Sequence, residues 1–147
     1  MSIPFGYHKL GIRVNRPTAD LPQTKQSALF NVSGRVLLQL ILGQVTTVVQ
    51  TQTCNAHLVA NPTTGTDTAL CGNVDITAKE AGTLFSIAGA AATAMQVGSS
   101  GSVIAQAADV VVAPGTIDFV TYASNTGQVK WSVWYIPLDD NATVSLA

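Results

Sequence analysis

The segment between Pro114 and Pro137 most narrows what this chain can fold into. In Val129-Lys130-Trp131-Ser132-Val133-Trp134-Tyr135-Ile136, residues Val129, Trp131, Val133 and Tyr135 share one side, with Lys130 and Ser132 opposite. That period of two belongs to a half-buried antiparallel strand, not to a helix. Ahead of it stands a second β-branched and aromatic run, residues 116–122, separated by Ser124-Asn125-Thr126-Gly127. The two runs are predicted to form a hairpin, launched by Pro114-Gly115 and ended by Pro137.

The same grammar recurs upstream. Arg35-Val36-Leu37-Leu38-Gln39-Leu40-Ile41-Leu42 leads through Gly43-Gln44 into Val45-Thr46-Thr47-Val48-Val49-Gln50-Thr51. A glycine at the first central position of a two-residue loop marks a type II′ turn, because it takes the positive φ at no steric cost. The turn predicts Leu42 facing Val45, Leu40 facing Thr47 and Leu38 facing Val49, with Leu37, Ile41 and Val48 on the other face. A ribbon apolar on both sides suits the inside of a sandwich or a subunit contact. Shorter strands are expected at residues 57–60, 74–76, 84–87 and 109–112. Strands at such spacing, broken by turn residues, predict an all-β fold: an antiparallel β-sandwich or a jelly-roll-like barrel. The alanine-rich residues 88–96 are read as a surface excursion with one or two helical turns.

The first 27 residues read differently. They hold Lys9, Arg13, Arg16 and Lys25 against one acid, Asp20, for a net charge of +3, and residues 28–147 carry −4. With Pro4, Pro17 and Pro22 and no sustained apolar period, residues 1–27 fit neither a good helix nor a central strand. They are read as an extended basic arm before a single domain at 28–147, and a basic frayed terminus is the competing reading. At 147 residues the chain suits one domain, which buries roughly two-thirds of the surface its unfolded form exposes.

Only 10% of the residues are charged and 47% are hydrophobic, so few solvated groups keep neighbouring molecules apart. A surface so poor in charge points to cover by a partner. Seven basic residues and a net charge of −1 exclude a general phosphate binder, so no nucleic-acid partner is expected. The longest apolar run, residues 36–42, is interrupted by Gln39 and far too short for a membrane helix, so no membrane is expected either. The N-terminus lacks the basic-then-apolar order of a secretory signal, which predicts a protein that stays in the cytoplasm that makes it. Cys54 and Cys71 are then thiols, read as small core or near-core residues.

No constellation of catalytic residues stands out. The histidines are His8 and His57, and neither sits in a nucleophile–base motif. Cys54-Asn55-Ala56-His57 places two metal-ligand types three residues apart with Cys71 as a third, but structural zinc takes four. Asp139-Asp140 lies in a turn-like stretch, read chiefly as solvated, with an acid pair or an inter-subunit salt link as alternatives. No cofactor, metal site or catalytic residue is therefore assigned. Trp134, on the side opposite Trp131 and Tyr135, is the one aromatic left for a surface contact.

Taken as a layout, the basic arm, Gly34-Arg35-Val36-Leu37 through Gly43-Gln44-Val45-Thr46-Thr47, Gly82-Thr83-Leu84-Phe85-Ser86-Ile87, Pro114-Gly115-Thr116-Ile117-Asp118, Gly127-Gln128-Val129-Lys130-Trp131 and Tyr135-Ile136-Pro137-Leu138-Asp139-Asp140 resemble small capsid decoration, or cement, proteins of tailed bacteriophages. The resemblance spans residues 28–140. It implies a non-enzymatic virion protein made in the host cytoplasm, bound to the outer capsid surface and bridging major capsid protein subunits. It also leaves room for self-association as a trimer or as neighbouring copies. On this reading Lys9, Arg13, Arg16 and Lys25 of the arm contact an acidic groove of the capsid, and Trp134 adds a surface contact. Alternatives are a head-fibre or tail-associated virion module, and a carbohydrate-binding sandwich using Trp134 and Tyr122.

Overall fold

The computed structural model describes residues 10–99 and 101–147, and every regular element within them is a β-strand. Two antiparallel sheets of six strands pack face to face as a β-sandwich. The first sheet runs from β1 (Ile12–Asp20) through β11 (Gln128–Pro137) to β3 (Val36–Thr47). Beyond β3 lie β7 (Leu84–Ser86) with β8 (Gln96–Gly98) along one half and β9 (Val110–Val112) along the other. In the second sheet, β12 (Thr143–Leu146), β2 (Gln26–Ser33), β10 (Gly115–Thr121) and β4 (Asn55–Pro62) are neighbours. The short β5 (Thr68–Ala69) and β6 (Val74–Asp75) line its far side.

The alternation of β11 sets the inner layer. Val129, Trp131, Val133 and Tyr135 are buried, Lys130 is exposed, and Ser132 and Trp134 are half-buried. Trp131 joins the two sheets: its ring meets Phe119 of the second sheet edge-on at 5.1 Å and stacks on Phe85 of the first at 6.2 Å. Edge and offset contacts of this kind add to the area that the rings bury.

The same tryptophan explains why no hairpin forms at Gly43. β3 continues straight through it, and Gly43 lies opposite Trp131, where a Cβ would come within 2.7 Å of the indole. The glycine is required for close approach, not for a turn. Leu42, Leu40 and Leu38 therefore face Ser132, Trp134 and Tyr135 of β11 instead of Val45, Thr47 and Val49. Register shifts between Trp134 and Tyr135, whose partners are Leu40 and Leu38, so Gln39 is an extra residue. Such a bulge exchanges the two faces of a strand, which puts Ile41 in the core and turns Leu40 outward.

The predicted hairpin of residues 116–136 is also absent. β10 is flanked by β2 and β4, and β11 by β1 and β3, so neither strand has a free edge for the other. Residues 122–127 cross from one sheet to the other. The crossing is pinned by Asn125 Nδ2 donating to Gln52 O (2.8 Å) and Gln23 Nε2 donating to Asn125 O (2.9 Å).

The sandwich begins at Ile12, not at residue 28. Much of the expected arm is β1, paired with β11 from Ile12–Tyr135 to Asp20–Gln128. Pro17 is tolerated because it falls where the register shifts between Arg16 and Ala19, on an edge strand whose outer side needs no donor. Residues 1–9 lie outside the described residues. Residues 88–96 form turns instead of helix: Gly72 N–H donates to Thr93 O (2.8 Å) and Met95 N–H to Gly72 O (3.0 Å), seating Met95 in the core.

Candidate functional site

The outward face of the first sheet is unusually apolar. On β11 it presents Lys130, Ser132, Trp134 and Ile136, which the register sets opposite Gln44, Leu42, Leu40 and Leu37 of β3. On the other side of β11, Arg13 lies opposite Trp134 and Asn15 opposite Ser132, where Ser132 Oγ and Asn15 Oδ1 are 2.8 Å apart. Val111 of β9 continues the row past Leu37. Leu37, Leu40, Leu42 and Trp134 are half-buried, Ile136 is 39% exposed and Val111 61% exposed. Isolated exposed apolar residues are ordinary, and it is the contiguity of this set on one sheet face that makes it a candidate site.

Residues 102–105 reach over part of this face, leaving an apolar hollow of about 260 Å³ beside Leu40, Leu42 and Leu84. Their anchor is Gln106. β7 and β9 pair with β3 only at Gly43–Gln44 and Val36–Leu38, so the middle of β3 lacks a strand on that side. Gln106 fills the gap, accepting from Ile41 N–H (3.1 Å) and donating to Leu38 O (3.0 Å), while Ser86 Oγ donates to Ile41 O (2.8 Å). Among the described residues, the charges that the strands place on this face are Arg13 and Lys130. The single acid in the strands of this sheet, Asp20, sits at the end of β1, where it accepts from Gln128 Nε2 (3.1 Å).

Of the residues expected to touch a capsid, Arg13 and Trp134 come together on this face. Arg16 does not join them. It faces the other way, and its Nη1 donates to Leu29 O (3.0 Å) and Ala147 O (3.2 Å), tying β1 of the first sheet to the second. Lys25, just before β2, holds its backbone to β10 through Thr121 N–H (3.1 Å), and its side chain is exposed. Lys9 lies outside the described residues. The sequence reading kept Leu40 on one face with Leu38, because the Gln39 bulge that separates them depends on β11.

The residue types weighed for chemistry lie elsewhere. Cys54 and Cys71 are buried free thiols. Leu58 N–H donates to Cys71 Sγ (3.3 Å), and burial pushes the Cys71 thiol up to about 11, which leaves little thiolate for metal or nucleophilic chemistry at neutral pH. His57 stacks on Tyr122, ring centroids 5.7 Å apart. Asp139 is bound within the chain, by Arg35 Nη2 (2.6 Å), Nε (3.0 Å) and backbone N–H (2.8 Å), which hold its carboxyl down at about 2. Among the described residues no three His, Cys, Asp or Glu side chains are grouped to hold a metal. The chain matches no protein-family model, and neither a curated protein nor a solved structure is detectably similar to it.

Proposed function

We propose that this chain is a non-enzymatic structural protein of a tailed-phage virion. Made in the host cytoplasm, it docks on the outer surface of the head and bridges neighbouring major capsid protein subunits. The observation that carries the reading is the outward face of the first sheet, where Trp134, Leu40, Leu42, Leu37 and Ile136 form an apolar surface rimmed by Arg13 and Lys130. Removing such a face from water is worth about 25 cal/mol per Å² of apolar area. The two cations select a partner with carboxylates around an apolar patch. On a lattice of repeated subunits, modest contacts at each copy multiply through effective concentration.

The test is cosedimentation of the full chain with expanded, undecorated phage heads, followed by heat challenge of decorated and bare particles. Saturable binding at a fixed ratio to capsid subunits, with delayed rupture, is expected. Trp134→Ser and Leu42→Ser should each weaken binding about tenfold, since a buried aromatic or aliphatic anchor is typically worth 1–2 kcal/mol or more at an interface. Absence of binding to heads overturns the reading. Retention on tails, or on a glycan array through Trp134, would redirect it.

A further inference from the structure

A cleft of about 330 Å³ opens between the two sheets on the side of β1 and β2. β12 pairs with β2 over Phe30–Ser33, and Ala147 N–H donates to Leu29 O (3.2 Å). Among the described residues, Gln26–Ala28 have β10 as their one sheet neighbour. The cleft is thus walled on one side by an open strand edge, which carries main-chain donors and acceptors ready to pair.

Its floor and rim are chemically distinct. The floor is aromatic, made by Trp131 and Phe119, and the rim carries Arg16 and Lys25. Among the described residues neither cation lies within 4 Å of an Asp or Glu carboxylate, the ion pair there being Arg35–Asp139. Arg16 is fixed in place by its two carbonyl acceptors, which engage Nη1 alone. Asp20 shares the rim, but its carboxylate is bonded to Gln128. The volume lies at the lower end of the roughly 300–1,000 Å³ that holds small ligands, the size for one inserted side chain and its backbone.

From this geometry we infer that the cleft receives an extended acidic segment of a partner protein. The segment adds to the open edge of β2 in line with β12, sends an apolar side chain toward Trp131 and Phe119, and sets flanking carboxylates against Arg16 and Lys25. Main-chain bonds to a sheet edge supply affinity in this mode, and alternate side chains supply the choice of sequence. The identity of the partner as a capsid subunit rests on the function proposed above; the chemistry of the cleft does not.

The experiment is a titration of the full chain with a capped Asp-Val-Asp-Val-Asp pentapeptide, followed by backbone amide shifts, with Lys-Val-Lys-Val-Lys as control. Saturable shifts are expected at Gln26, Ser27 and Ala28 from the acidic peptide alone. Lys25→Glu should weaken binding about tenfold or more and Lys25→Gln by less, as expected when a facing charge is reversed or removed. Both variants should keep the wild-type unfolding temperature, since the Lys25 side chain is exposed. No saturable shift at β2, equal binding of the lysine peptide, or indifference to Lys25→Glu overturns the inference. Head binding without peptide binding refutes the cleft alone, and peptide binding without head binding refutes the capsid reading alone.

Discussion

The two sheets share one core but treat their outer faces in opposite ways. On the second sheet the outward Asp118 is 2% exposed, and both its carboxylate oxygens accept from within the chain: Oδ2 from Gln26 Nε2 (2.6 Å) and Asn61 Nδ2 (3.0 Å), Oδ1 from Thr116 Oγ1 (2.6 Å). Gln26 Nε2 also donates to Asp67 Oδ2 (2.9 Å), which draws the segment between β4 and β5 over β10 as a cover. A carboxylate so buried is tolerable only when hydrogen-bonded, and it is. The first sheet has no such polar cover. The middle of its face is leucine, tryptophan and isoleucine, with polar residues such as Lys130, Ser132 and Arg13 beside them and residues 102–105 over only part of it. One sheet satisfies the buried charge on its outer face from within the chain, and the other leaves apolar side chains on its outer face.

Substitutions on each layer can break this contrast. The largest effect should come from the layer that both sheets share. Trp131→Ala removes the ring between Phe85 and Phe119 and is expected to cost about 3–5 kcal/mol in chemical denaturation. Next comes Asp118→Ala, which strands three donors under the cover and should cost about 2–3 kcal/mol without altering affinity for heads. Trp134→Ser, on the open face, should cost about 1 kcal/mol or less in stability yet weaken head binding. If Trp134→Ser destabilises as much as Asp118→Ala, the first sheet's face is ordinary core and the contrast fails.

The smallest effect is confined to acid. Arg35 depresses the Asp139 carboxyl from 3.8 to about 2. Stability from that contact is fully present above the unfolded value and is lost as pH falls through the folded one. Asp139→Asn should therefore flatten the fall in unfolding temperature between about pH 4 and about pH 2 and leave neutral stability nearly unchanged. An unaltered acid limb would show that this exposed pair does not hold the Gly34–Arg35 turn to the end of β11.

The strands were legible wherever local pattern decides. The alternation of β11, the short β7 and β9, and the assignment of Trp131 and Tyr135 to the core follow from period alone. What failed were pairings, because a strand's neighbour is chosen by residues far away. Gly43 reads as a turn until Trp131 is placed against it. Pro17 reads as a breaker until the strand is known to be an edge with a register shift. Of the candidate site, Trp134 was visible as the residue out of phase with the core. Arg16 was read only as an arm cation, and its ties to Leu29 and Ala147 were not legible because those acceptors come from the opposite sheet. Leu40 was placed on one face with Leu38, which is buried, because nothing local announces the extra residue at Gln39.

The order β1-β11-β3 carries a consequence for how the molecule is made. β1 and β3 leave the ribosome long before β11, the strand that must lie between them, has been translated. Pairings between such distant segments form slowly, because loop closure comes before any contact can reward it. Until β11 arrives, the apolar row of β3 has no Trp134 beside it and no Arg13 across the way, so the composite face is missing from any partial product. On the function proposed above, only a chain translated past β11 would be competent to bind.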